Sequence, residues 1–185
     1  MNGRMLKSGL AVLACATLGA GSLMAGDDGD GERGRNRDRT RFVAHADLAG
    51  GAENPLISTP ASGHFHSVVD TVAGTITWTL KYDGLEGTVT QAHVHIGQRH
   101  VNGGISFFMC TNLAAPAGVP APQACPAGPA EISGVITAAD VLGPTGQGIP
   151  AQSFAEVVSH IRDGNSYANV HSTVAPGGEI RGQLH

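Results

Sequence analysis

His93 and His95, in the run Gln91-Ala-His-Val-His-Ile-Gly97, are the residues whose type and spacing point most directly to chemistry. On an extended strand residues i and i+2 share a face, and a rise of ~3.3 Å per residue sets them about 7 Å apart. Two imidazoles at that spacing can chelate one ion. His171 falls on the outward side of a second expected strand and supplies a third nitrogen. Three neutral imidazoles suit copper or zinc, and copper stands highest in the affinity order of divalent first-row metals. The ligands must be deprotonated, so binding is expected to weaken below about pH 6. His100, five residues after His95 in an expected loop, is a candidate fourth ligand. Glu179 and Asn169 share the outward faces and are candidates for orienting the ligands by hydrogen bonds, Glu179 toward His171 in particular. The alternative is a metal-free cross-strand network in which the histidines bond to Asn169, Gln183 or Glu179. His64 and His66 form a second i, i+2 pair read as a solvated face, and His45, His160 and His185 receive no role. Glu179 with Arg181 reads as an ion pair on one strand face, and Glu53 as a turn residue near Pro55.

Short alternating segments divided by turn residues must position these side chains. Strands are expected at Phe42–Leu48, Gly63–Val69, Gly74–Tyr82, Thr88–Gly97, Ile105–Cys110, Glu131–Thr137, Tyr167–Thr173 and Glu179–Leu184. The clearest has Ile76, Trp78, Leu80 and Tyr82 on one face and Thr75, Thr77, Thr79 and Lys81 on the other. Period two requires one buried side. In the last hairpin Ala168, Val170, Ile180 and Leu184 face inward, and Asn169, His171, Glu179, Arg181 and Gln183 face outward. One helix is expected from Ser153. Its Ser153/Glu156 spacing matches a capping box, and Phe154, Val157, Val158 and Ile161 form one apolar stripe. Thr137 to Asp140 is expected to make one short turn with Thr137 as N-cap.

Composition narrows the classes further. Glycine accounts for 27 of 185 residues, and only 14% of residues are charged, against usual values of ~7% and ~25%. That profile excludes a coiled coil and a charge-dense disordered chain, and leaves a turn-rich all-β domain. Residues 42–185 carry four cationic residues against ten acidic ones, a sign that repels polyanions and argues against a nucleic-acid partner. No G-x-S-x-G, Walker-A, H-E-x-x-H or G-x-G-x-x-G pattern occurs.

Residues 1–25 read as an export signal, with Arg4 and Lys7 ahead of an apolar run from Leu10 to about Ala25 that is too short for a comfortable membrane span. Cys15 lies in that run, but Val12-Leu13-Ala14 before it fits a lipoprotein signal poorly. Residues 26–41 read as a charged linker that cannot bury apolar surface. The expected address is secreted or periplasmic, with no transmembrane span in the mature protein. Cys110 and Cys125 are the only cysteines beyond the signal. In an oxidising compartment they are expected to form a disulfide across a Pro/Ala-rich loop.

Phe42-Val-Ala-His-Ala-Asp-Leu48 with Gly51-Ala-Glu-Asn-Pro55 resembles the opening of chordin-type (CHRD) domains. Gln91 to Gly97 resembles their His-x-His strand. Phe154-Ala-Glu-Val-Val158, Gly164 to Ser172 and Pro176 to Leu184 resemble their C-terminal half. The resemblance covers about 42–184 and implies an all-β, Greek-key sandwich or barrel, immunoglobulin- or superoxide-dismutase-like, with one inserted short helix. It also implies an extracellular or exported domain, since bacterial members are stand-alone exported proteins. The His-Val-His run is similar to the copper strand of copper-zinc superoxide dismutase, without counterparts of its zinc-site carboxylate or bridging histidine. The expectation is an exported CHRD-domain binding module, holding copper or zinc through His93, His95 and His171. The alternatives are a copper-dependent redox enzyme of superoxide-dismutase type and a metal-free domain that binds an unknown protein or envelope partner.

Overall fold

A computed structural model describes residues 40–185. The expected signal 1–25, Cys15 and most of the expected linker 26–41 lie outside the described residues. Eight strands follow in order: β1 Arg41–Ala49, β2 Ser62–Asp70, β3 Thr75–Asp83, β4 Val89–Ile96, β5 Gly104–Thr111, β6 Ala130–Ile136, β7 Ser166–Ser172 and β8 Ile180–Gln183. They form one antiparallel sheet in the order β5-β4-β7-β8-β1-β2-β3-β6, curled into a nearly closed barrel. The single helix of the described residues, α1 (Phe154–Arg162), precedes β7.

Alternation accounts for the wall. Ile76, Leu80, Phe65, Val69, Ala46, Ala92, Val94, Phe107, Val170 and Ile180 are fully buried and meet in one core. Helix α1 adds Val157, Val158 and Ile161 from its apolar stripe. The expected capping box does not form. Ser153 makes no side-chain cap bond, and its N–H is drawn to Pro150 O, 3.3 Å away in the preceding turn. At Thr137, by contrast, the Asp140 carboxylate accepts from the Thr137 N–H at 2.8 Å and hydroxyl at 2.9 Å.

The barrel has a seam between edge strands β5 and β6, and the loop between them bridges it. The Gln123 carbonyl accepts from Thr111 N at the end of β5 (2.9 Å), while its side-chain amide donates to Ser133 O in β6 (3.0 Å). Cys110 and Cys125 form the expected disulfide, with Cα atoms 5.1 Å apart. Asn112 also bonds to Cys125, accepting from its N–H at 3.0 Å and donating to its carbonyl at 2.9 Å. A segment with no periodicity thus acts as a clasp, because its backbone groups find partners on an open sheet edge.

One expectation needs correcting. The face of β7 and β8 opposite the core was expected to meet solvent, yet every residue of both strands is buried. Loops lie over that face, and strand alternation carries no information about them.

The disulfide closes a loop of about 15 residues, a constraint worth about 3 kcal/mol in the chain-entropy description. For a domain of this size that corresponds to roughly 6–12 °C in Tm. Scanning calorimetry of a Cys110→Ala/Cys125→Ala variant is expected to show a loss in that range. An unchanged Tm would mean that the hydrogen bonds hold the clasp unaided.

Candidate metal centre

Strands β4 and β7 lie side by side with His93 opposite Asn169, His95 opposite Tyr167 and Gln91 opposite His171. The outer face of this pair therefore presents His93 and His95 from one strand and His171 from the other. On the far side of β4 the pairing with β5 is irregular. It skips a residue between Ala92 and His93 and again between Val94 and His95. Such irregularities re-aim side chains, and here they flank both histidines. Ring centroids lie 4.7 Å apart for His93 and His95 and 4.5 Å apart for His93 and His171. One ligand atom from each of the three can be chosen so that all lie within 4.8 Å of one another. Three nitrogens sharing one ion at about 2.1 Å each lie about 3.4–3.6 Å apart, so the rings must close by about an ångström to complete the geometry.

Hydrogen bonds assign the ring protons. His95 Nδ1 is 2.9 Å from Gly103 O, and His171 Nδ1 is 2.8 Å from Pro176 O. A carbonyl only accepts, so both Nδ1 atoms carry the proton and both Nε2 atoms present a lone pair. His93 Nδ1 lies 2.7 Å from His95 Nε2 and donates to it, which leaves a free lone pair on His93 Nε2 and engages the one on His95 Nε2, so an ion bound by all three rings must displace this hydrogen bond. His93 Nε2 and His171 Nε2 are buried and have no hydrogen-bond partner. Each buried group of this kind left without a partner costs about 1–3 kcal/mol.

Burial also keeps the rings neutral. It pushes His93 well below the usual imidazole range, with further lowering from His95 and His171. His95 falls to about 4, chiefly by burial and against the raising effect of its Gly103 bond. Burial lowers His171 too, with the Pro176 bond opposing.

The surroundings hold the cluster in place. Asn169 lies against His93 and His95. Phe108 meets His93 edge-on at 4.9 Å. Tyr167 stacks on His95 with centroids 4.6 Å apart and planes within 4°. The Arg181 guanidinium covers Tyr167, 3.4 Å from the ring centroid. Arg181 is only 1% exposed and donates to Gln98 O, Val101 O and Asn102 Oδ1 at 2.9–3.2 Å. It thereby ties down the β4–β5 loop, whose Gly103 carbonyl sets the His95 tautomer. This loop interlocks with the β1–β2 loop, where Asn54 donates to His100 O and accepts from Asn102 at its own carbonyl.

Several assigned roles differ from expectation. Glu179 does not orient His171. Its Oε1 accepts from Thr59 Oγ1 at 2.8 Å and Glu86 N at 2.7 Å. Burial raises the Glu179 carboxyl, but bonds from Ser172, Glu86, Thr59 and Gly87 outweigh it and hold the group below the usual carboxylate range. Glu179 thus anchors two covering loops to β8, and Arg181 serves the β4–β5 loop instead of pairing with it. His100 is exposed on a left-handed turn (φ 63°) and stands outside the cluster. Glu53 is more than a turn residue. It is buried beside Asn169, and burial raises it to about 7 against the opposing effects of Arg181, the Asn54 N–H and Asn169. Gly178 (φ 125°) makes room for it, since a Cβ there would lie 2.3 Å from Glu53 Oε1. Tyr167 was within reach of sequence reasoning, two residues from Asn169 on one strand face. Glu53, Phe108 and the carbonyls of Gly103 and Pro176 come from loops or other strands and carry no such signal.

These shifts set the acid stability of the metal-free protein. Below about pH 6.5 the unfolded chain takes up protons on three imidazoles whose protonation the fold disfavours, His95 down to about 4, so stability falls as pH falls. Glu53 works the other way: the fold favours its protonated form, and that contribution is lost as pH rises toward 7. Three groups outweigh one. In chelator, Tm is expected to fall steadily from pH 6.5 to pH 4.5. A flat profile would contradict buried neutral histidines.

Among the described residues no helix is long and apolar enough to cross a membrane. No curated protein and no solved structure matches the chain. The CHRD domain model matches residues 44–184, from the first inward residues of β1 to the end of β8. That span contains all but the first three residues of the barrel and all three clustered histidines, and the chain belongs to the CHRD domain family.

Proposed function

We propose that this chain is an exported, non-enzymatic CHRD-domain binding module that holds one copper or zinc ion through His93, His95 and His171. The observation that carries the reading is the pair of buried, unpartnered lone pairs, His93 Nε2 and His171 Nε2, beside the carbonyl-fixed His95. The donor set is all nitrogen and neutral, with His95 and His171 held by backbone acceptors, which suits imidazole ligands of these metals. An ion here adds positive charge near Glu53, which favours the ionised carboxylate and so compensates part of that charge. The ligands are only 1–7% exposed. That enclosure suits retention of an ion better than turnover of a substrate, which needs an open coordination position. The disulfide supports an oxidising location.

Protein purified without a polyhistidine tag, stripped by chelator and titrated with Cu²⁺ or Zn²⁺, is expected to take up one tightly held equivalent, read by calorimetry and elemental analysis. His93→Ala and His171→Ala are each expected to weaken that equivalent at least 100-fold. Binding that is substoichiometric and indifferent to His93→Ala overturns the reading.

A further inference from the structure

Strands β1 and β2 gather a second set of histidines on the outer wall of the barrel. In their register His45 is opposite His66 and Asp47 is opposite His64. These four residues face outward, because the alternate residues Ala44, Ala46, Leu48, Phe65 and Ser67 are buried. The chain then returns beyond β8 and lays His185 alongside. His45 N donates to His185 O at 3.0 Å and His185 N to His45 O at 3.1 Å. The His45 and His185 ring centroids are 4.2 Å apart, and His45 and His64 are 6.5 Å apart.

The ring nitrogens are prepared as in the buried cluster. Asp47 Oδ1 accepts from His64 Nδ1 at 2.8 Å, and Gln183 O accepts from His185 Nδ1 at 3.2 Å. Both rings therefore turn an Nε2 lone pair outward, and a carboxylate–histidine pair is a recurrent support for a metal ligand. With metal–nitrogen bonds of about 2.0–2.1 Å, ring centroids sharing one ion sit roughly 5–6 Å apart. The two observed separations, 4.2 and 6.5 Å, lie on either side of that range, so the rings are not yet in a closed ligand geometry. His64 keeps 45% of its side chain exposed, which gives its ring room to move toward the other two when an ion binds.

We infer that His45, His64 and His185, with Asp47 orienting His64 and His66 opposite His45, form a second, surface site for a divalent transition-metal ion of the Zn²⁺ or Cu²⁺ class. It shares no ligand with the buried cluster, so the two stand or fall separately. Its exposed ligands make it the weaker and more readily exchanged of the two.

Zn²⁺ titration of untagged, chelator-stripped protein tests this on three forms: the unsubstituted protein, His93→Ala/His171→Ala and His45→Ala/His64→Ala. The inner-site variant is expected to retain one weaker equivalent. The outer variant is expected to lose that equivalent by at least tenfold in affinity while keeping its Tm. Asp47→Asn is expected to weaken it about threefold. Should the inner-site variant fold poorly, side-chain ¹⁵N spectra of the unsubstituted protein replace it. The ring signals of His45, His64 and His185 are then expected to shift with the second equivalent of Zn²⁺. A single equivalent that His45→Ala/His64→Ala leaves unchanged, with those ring signals unmoved, overturns the surface site and leaves the buried one intact. One equivalent that responds only to the outer substitutions supports the surface site and overturns the buried one.

Discussion

Polar side chains on the outer face of β4, β7 and β8 are buried beneath loops, and the rest of the candidate site depends on that burial. Imidazole, guanidinium and carboxyl groups removed from water must each find a partner or change protonation state. Here the two responses divide cleanly. Arg181 and Glu179 remain charged and are surrounded, the first by loop carbonyls and an aromatic face, the second by hydroxyl and amide donors. The histidines of the cluster give up their charge, and Glu53 moves the same way.

The loops that create the low-dielectric layer are also what the charged residues hold. Arg181 fixes the β4–β5 loop, Glu179 fixes the β1–β2 and β3–β4 loops, and Gln183 donates to the Gly97 and Gly164 carbonyls. The β4–β5 loop in turn supplies the Gly103 carbonyl to His95. Tautomer, burial and loop position are thus linked through a few side chains of β8. The apolar core on the other side of the same wall makes β4, β7 and β8 rigid enough for those side chains to keep their spacing. The far edge of the sheet is settled separately by the disulfide-clasped loop at the β5–β6 seam.

Much of this was legible along the chain. The alternation of Ile76, Trp78, Leu80 and Tyr82, the apolar stripe of α1 and the cysteine pair lead directly to observed elements, because each rests on local periodicity or on a count. The His93/His95 pair was legible for the same reason. The Ser153 box was a local signal that failed, since the turn from Pro150 took the Ser153 N–H and set the entry angle. Glu179 was given the wrong neighbour because its partners, Thr59 and Glu86, lie far away in sequence. His64 read as part of a solvated face, and His45 and His185 carried no role, until the β1–β2 register and the return of the chain past β8 put them together with Asp47.

The chain by itself determined an all-β domain of alternating strands with one helix, a cysteine pair to staple its least regular loop, and two imidazoles on one face of β4. Those follow from periodicity and residue type, which act over a few residues. Which strand lies beside β4, and therefore that His171 joins the pair, was decided only in three dimensions. So was the enclosure of that face, because desolvation depends on loops arriving from distant parts of the chain, and it is desolvation that keeps these three histidines neutral.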